Sequence, residues 1–466
     1  MHFQQFYLGC LAHASYLIGS RGTAVVVDPQ RDVEQYLDAA REHGLDIRYV
    51  VETHVHADFV SGHRELASRT GAEIVFGARA LAGFPHRAVR DGDELRVGHV
   101  TLQILETPGH TPEAISLVVT DSDAPGEAPL LLSGDTLFIG DVGRPDLAGS
   151  KGHTAEEMAG LLFDSLHEKI LPLDDAVRVF PAHGAGSLCG RNISSETTST
   201  LGEQRRSNYA LQPMSKTAFV DMMTTALPEA PAYFGVNAGL NLGDVPRLAD
   251  LARPAPLTPT EVAAQTARGA LALDVRASEV YGPKHVTGSL NIGLDGQFAS
   301  WAGTLIDFAR PIVIVTDSDG ERDEAVLRLA RVGFSKVIGY LAGGVAAWER
   351  AGLPTSSIAH ISVGQFHDLL ASAPPANVLD VRRPAEFDGG AAPGAQPFPL
   401  ADFAHGVPRL DPQKPTVIVC GSGYRSSIAA SLLEAEGYGP LTHVDGGMTA
   451  YLQAGLPVAH HAGAAR

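Results

Sequence analysis

The sequence predicts a multidomain chain mixing α/β and α+β architecture, and three observations predict it. The chain has 466 residues, too long for one ordinary core. Its first half alternates short β-branched runs with helical stretches. Its second half repeats itself at an offset of about 103–106 residues, the signature of a duplicated domain rather than a short solenoid repeat.

In the first half the expected strands are Thr23–Val27, Tyr49–Glu52, Glu73–Phe76, Thr101–Leu105, Leu130–Ser133 and Val177–Phe180. From Ala249 to Pro259 the chain turns rich in Pro and Ala, which reads as a linker. Beyond it, Leu273-Asp274-Val275-Arg276 recurs as Leu379-Asp380-Val381-Arg382. The apolar run from Pro311 to Thr316 recurs from Pro415 to Cys420, and Gly343-Gly344 recurs as Gly446-Gly447. Each copy reads as strands followed by helices, hence a small parallel α/β sheet. The expected domains are 1–247, 258–356 and 357–460.

Composition narrows the function classes. With 44% apolar and 19% charged residues, the chain is ordinary for a globular protein. Its net charge of −18, with both signs interspersed, argues against a nucleic-acid partner. No apolar run approaches a membrane span and no leader pattern opens the chain, so the cytoplasm is expected. Three cysteines, Cys10, Cys189 and Cys420, cannot build a disulfide framework and fit a reducing compartment. Cys10 follows an aromatic stretch and reads as core packing.

The densest chemistry lies at His54-Val55-His56-Ala57-Asp58-Phe59, just behind an apolar run. Donors at i, i+2 and i+4 on a strand share one face. Imidazole mixed with carboxylate suits zinc or iron better than calcium or magnesium. Further candidates end later strands: His110 in Thr107-Pro108-Gly109-His110, Asp135 in Ser133-Gly134-Asp135-Thr136, and His183 in Pro181-Ala182-His183-Gly184. A glycine beside each permits the turn that aims a side chain into a shared cleft.

In that order these residues resemble the metallo-β-lactamase superfamily signature. The resemblance implies an αβ/βα sandwich with metal at one edge of two sheets. Within the superfamily, zinc thioesterases of the glyoxalase II type compete with mononuclear iron persulfide dioxygenases. Phe59 stands where dinuclear relatives place a third histidine, and phenylalanine has no lone pair. His54, His110 and Asp135 would form a two-histidine, one-carboxylate set suited to one Fe(II), with zinc as the alternative. Gly140-Asp141-Val142-Gly143-Arg144-Pro145-Asp146 and the Leu227–Leu242 stretch also resemble the dioxygenases.

His56, Asp58 and His183 then orient ligands or substrate, or are remnants of a second site. Arg144 is either an anchor for a substrate carboxylate or phosphate, or the partner of Asp141 or Asp146. Cys189 either exchanges sulfur with substrate in the metal pocket or is a small buried hydrophobe.

Cys420 ends the apolar run Val417-Ile418-Val419, and Gly421, Ser422, Gly423, Tyr424, Arg425 and Ser426 open a helix expected to reach about Glu436. Such a loop curls backbone N–H groups around the sulfur, at the positive end of a helix. With Arg425, it favours thiolate and an anionic persulfide. The Cys420-to-Arg425 loop, with the Leu379 and Asp445 segments, resembles the rhodanese (sulfurtransferase) domain. In the first copy Thr316 stands in the place of Cys420, followed by Asp317, Asp319 and Glu321, so residues 258–356 resemble an inactive rhodanese.

The order of domains resembles CstB-type persulfide dioxygenase–sulfurtransferase fusions. That implies oxidation of a low-molecular-weight persulfide (of glutathione, coenzyme A or similar) by O2 to sulfite. Cys420 would carry a sulfane sulfur to sulfite, giving thiosulfate, or run the reverse direction. A homo-oligomer is expected. The competing readings are a zinc thioester hydrolase with an appended rhodanese, and a persulfide carrier or sensor with a structural metal.

Overall fold

In the computed structural model, residues 1–147, 152–225, 227, 229–372 and 377–460 are described. The chain divides into two compact units, one of Met1–Leu251 with Ala330–Gly333 and one of Ala252–Leu329 with the chain from Phe334 onward.

The first unit holds two six-stranded sheets. One is ordered β1-β2-β3-β4-β5-β6: His2–Leu8, His13–Ser20, Thr23–Val27, Asp46–Val51, Glu73–Gly77 and Arg87–Val89. The other runs from β7 through β12: Glu94–Val97, Val100–Glu106, Ile115–Asp121, Leu130–Gly134, Arg178–Pro181 and Ser199–Thr200. Alternation decides how they stack, because successive side chains in a strand face opposite sides. Tyr16, Ile18, Val25, Val27, Tyr49 and Val51 of the first sheet meet Leu102, Ile104, Ile115, Leu117, Leu130 and Leu132 of the second in one buried core. The intervening residues Leu17, Ala24, Val26 and Val50 face the helix Glu34–Glu42 through Tyr36, Ala39 and Ala40. Leu131 and Val179, on the far face of the second sheet, meet Ala159 and Leu162 of the helix Ala155–Asp164. The result is helix, sheet, sheet, helix.

The second unit repeats one pattern. Its first copy is an all-parallel sheet ordered β13-β18-β17-β14-β16: Ala255–Leu257, Val337–Leu341, Ile312–Val315, Leu271–Asp274 and Leu290–Asn291. The short pair β15 (His285–Val286) and β19 (Thr355–Ser356) lies outside it. Its second copy is ordered β20-β24-β23-β21-β22: Ala359–Ile361, Leu441–Val444, Thr416–Val419, Asn377–Asp380 and Gln396–Pro397. Their strand orders correspond one to one.

The expected linker is partly strand. Ala255–Leu257 pairs with β18, and Pro256 is tolerated there because β13 is an edge. The recurring Leu-Asp-Val-Arg segment has a structural cause. Arg276 folds back onto Asp274 at 2.6 Å, and Arg382 onto Asp380 at 2.7 Å, neutralising a carboxylate buried at the strand end in each copy. No helix among the described residues is long and apolar enough to cross a membrane.

Candidate metal centre and sulfur-transfer loop

The His54–Asp58 segment is not strand. The ladder of β4 ends at Val51, and the segment continues as a loop. The three side chains therefore diverge, where an extended strand would have aligned them.

His54 turns towards His110 and Asp135, so that one donor atom from each lies within 4.8 Å of the others. His54 Nε2 is 3.7 Å and His110 Nε2 is 3.4 Å from Asp135 Oδ2. All three residues are buried. The outer nitrogens are engaged. His110 Nδ1 donates to the Arg144 carbonyl at 3.0 Å. His54 Nδ1 lies 3.0 Å from Thr53 Oγ1, whose hydroxyl donates to Asp28 at 2.8 Å. With those protons outside, both Nε2 lone pairs face inward, as metal-ligating histidines require. Burial, reinforced at His54 by the neighbouring histidines, lowers both imidazole pKa values and keeps the rings neutral. Two neutral imidazoles and one carboxylate converging this way fit an iron(II) or zinc ion.

Asp58 and His183 form a second layer. His183 sets Nδ1 against Asp135 at 2.8 Å and Nε2 against Asp58 at 2.9 Å. Burial opposes its charge, but the two carboxylates win and push its pKa up to about 10. Cys189 lies with them, its sulfur within 4.8 Å of donor atoms of Asp58 and His183. Burial, and the charges of Asp58 and Asp135, push the thiol pKa well up. His56 turns the other way, into a buried pocket where Nε2 is 3.1 Å from Asp28 and 3.3 Å from Glu52. Phe59 is buried, its ring centroid 4.2 Å from that of His13 and 4.5 Å from that of His56.

The glycine-rich segment around Arg144 is a frame for these groups. A Cβ on Gly143 would lie 2.0 Å from the Asp135 carbonyl and 2.9 Å from His110 Cβ. Asp141 accepts from the backbone N–H groups of Arg191 and Asn192, which ties down the chain just past Cys189. Arg144 is buried, pairs with Asp146 at 2.6 Å and donates to the Leu188 carbonyl. In the other resembling stretch, of which Pro228 lies outside the described residues, Asn241 clamps the metal loop. It donates to the carbonyls of His56 and Phe59, both at 2.8 Å, and accepts from Ser61 N–H at 2.9 Å.

Sequence reasoning missed Asp28, Glu52, Thr53, His13 and Asn241. Glu52 and Thr53 directly precede His54, Asn241 lies in the Leu227–Leu242 stretch, and His13 and Asp28 reach the site from the start of β2 and the turn after β3. Asp28 offered one weak signal, an aspartate closing an apolar run, and its φ of 51° marks the turn that brings it in.

In the second unit, Cys420 lies buried just past β23, before the helix Tyr424–Ala435. Gly423 donates its N–H to the sulfur at 3.1 Å, and Ser426 Oγ lies 3.4 Å from it. Gly447 has φ of 55°, and a Cβ there would lie 2.4 Å from the Cys420 carbonyl, so glycine lets the next helix abut the loop. Arg425 is held in a two-point pair by Glu386, both contacts 2.7 Å. Tyr424 leaves the loop and donates to the Gly293 carbonyl of the first copy at 2.8 Å. Ser422 is exposed and Gly421 partly so. In the first copy the position matching Arg425 is Glu321, which accepts from the Thr316 hydroxyl at 2.5 Å.

Residues 8–183 match the metallo-beta-lactamase superfamily model, and residues 258–351 and 362–454 each match the rhodanese-like domain. The mitochondrial persulfide dioxygenase ETHE1 of Bos taurus is 32% identical over 49% of this chain and 84% of its own length. The chain belongs to the persulfide dioxygenase–rhodanese fusions of the metallo-beta-lactamase superfamily. The human ETHE1 persulfide dioxygenase is 31% identical with the same coverage, and a hydroxyacylglutathione hydrolase of Rhodospirillum rubrum is 30% identical over 48% of this chain and 80% of its own. A crystal structure of a metallo-beta-lactamase from Staphylococcus aureus is 34% identical, with a TM-score of 0.65, and covers 73% of this chain and 98% of that one. Persulfide oxidation and sulfur transfer are the activities this membership supports.

Proposed function

We propose that the chain oxidises a low-molecular-weight persulfide to sulfite at one Fe(II) and carries sulfane sulfur on Cys420. The observation that carries this reading is the inward convergence of His54, His110 and Asp135 in the same chain as a glycine-lined Cys420. We assign residues 1–247 to oxidation, 357–460 to sulfur transfer, and 258–356 to an inactive rhodanese copy.

His54, His110 and Asp135 would hold the iron(II), which would supply the O2 chemistry. The balance is RSSH + O2 + H2O giving RSH, sulfite and two protons. His183 and Asp58 sit beside Asp135 and suit holding or moving a proton there. Cys189 is positioned to touch a sulfur substrate. In the third domain the Cys420 thiolate attacks the outer sulfur of a persulfide, forming Cys–S–S⁻ and releasing RSH. Sulfite then takes that sulfur, giving thiosulfate and regenerating the thiolate. Gly423 N–H stabilises the sulfur anion in both states. The run can operate in either direction. Glutathione and coenzyme A persulfides both present the required end.

A zinc thioester hydrolase is the second reading, favoured by the Rhodospirillum rubrum relative. Metal content together with oxygen consumption on a panel of persulfides separates the two. Iron with persulfide-dependent oxygen uptake supports dioxygenation. Zinc with thioester cleavage and no oxygen uptake overturns it.

A further inference from the structure

The second rhodanese copy carries a cluster that neither activity uses. His360 on β20 and His443 on β24 are register partners on adjacent parallel strands, so both side chains leave one face together. Their ring centroids are 4.4 Å apart. Asp445 follows His443 by two residues, and its backbone N–H is fixed to the Ile361 carbonyl at 2.9 Å. Its carboxylate lies 2.7 Å from His360 Nδ1 and 3.6 Å from His443 Nε2.

The proton inventory makes this more than a surface ion pair. Ser426 donates its hydroxyl proton to the Gly423 carbonyl at 2.8 Å. His443 Nδ1 lies 3.1 Å from Ser426 Oγ, whose proton is already given to Gly423, so Nδ1 is the donor there. Its Nε2 then carries a lone pair, aimed at a carboxylate. Asp445 also shares a hydrogen bond with His360 Nδ1 at 2.7 Å, so three donor atoms converge where a cation can take the place of that shared proton. A histidine whose far nitrogen is pinned by a hydrogen bond is the usual form of a metal ligand. Side-chain exposures of 2% for His443, 19% for His360 and 52% for Asp445 describe a pocket floored by imidazole and open to solvent at the carboxylate.

The geometry points to a site for a divalent cation of the zinc class, held by His360 Nδ1, His443 Nε2 and Asp445, with water completing the shell. The site communicates with the sulfur chemistry. From His443 the path runs through Ser426 to Cys420 Sγ, 3.4 Å further on. A cation there adds positive charge behind the sulfur and favours its anionic forms. This inference rests on the second unit alone and stands whether or not the first oxidises persulfides.

The test is equilibrium dialysis of the iron-loaded full-length protein against zinc, with both metals counted by mass spectrometry. The expected result is one zinc per chain gained with iron retained. His360→Ala should abolish that zinc, and Asp445→Asn, at a half-exposed position, should weaken it about tenfold or more. Cys420→Ser should keep it, and so should His54→Ala, which loses iron. Zinc gained only as iron is lost, zinc undiminished in both His360→Ala and Asp445→Asn, or zinc lost in Cys420→Ser but kept in His360→Ala each overturns the assignment.

Discussion

Phe59 and Gly143 control the metal centre through volume rather than coordination. Phe59 fills the space between the rings of His13 and His56 with a side chain that has no lone pair. Phe59→His should therefore raise the metal content above one per chain, counted by mass spectrometry; an unchanged count would show that the His183–Asp58 pair alone excludes a second ion. Gly143 leaves no room for a Cβ between the Asp135 carbonyl and His110. Gly143→Ala should cut iron affinity about tenfold or more by displacing those ligands, measured by chelator competition. Cys420→Ser should abolish thiosulfate formation and leave sulfite formation intact, read by separating the two products after reaction with a persulfide. Loss of oxygen uptake in that variant would show that the two centres are obligatorily linked.

Loops, more than strands, hold the centre together. The His54–Asp58 loop is tied at one end by Glu113, which accepts from Val55 N–H at 3.0 Å, and along its length by Asn241. Asn241 is buried, so its removal leaves Ser61 N–H and two carbonyls without that partner. Each such loss costs about 1–3 kcal/mol. Asn241→Ala should lower the thermal midpoint and release iron, followed by calorimetry and metal analysis; an unchanged midpoint with full iron would mean the loop is held elsewhere. Recognition of the Leu227–Leu242 stretch from sequence was possible, but its clamp role was not, because its target is about 180 residues away in the chain.

Duplication gives the second unit two sheets of matching strand order and one sulfur-bearing loop. The two copies are joined by polar contacts: Tyr424 to Gly293, His285 Nε2 to Glu434 at 2.9 Å, and Ser427 to Asn291 at 2.6 Å. The first copy thus holds the helix that follows Cys420. Placing a thiol in it should not confer sulfur transfer, because Glu321 puts a carboxylate where the second copy has Arg425. Thiosulfate formation by Thr316→Cys in a Cys420→Ser background should stay at background, and recovered activity would show that the loop's backbone suffices.

The sequence by itself determined six strands of the first unit, the duplication, the absence from the first copy of a counterpart to Cys420, and the residue types of both centres. Those follow from short-range physics: side-chain periodicity, glycine at sharp turns, and lone pairs or thiols at strand ends. Tertiary structure alone decided where the side chains point. His56 leaves the metal for Asp28 and Glu52 because the chain quits the ladder at Val51, and no periodicity records where a ladder stops. Arg144 is spent on Asp146 and the Leu188 carbonyl, and Arg425 on Glu386. His360 and His443 are 83 residues apart in the chain, and only parallel pairing of β20 with β24 makes them neighbours.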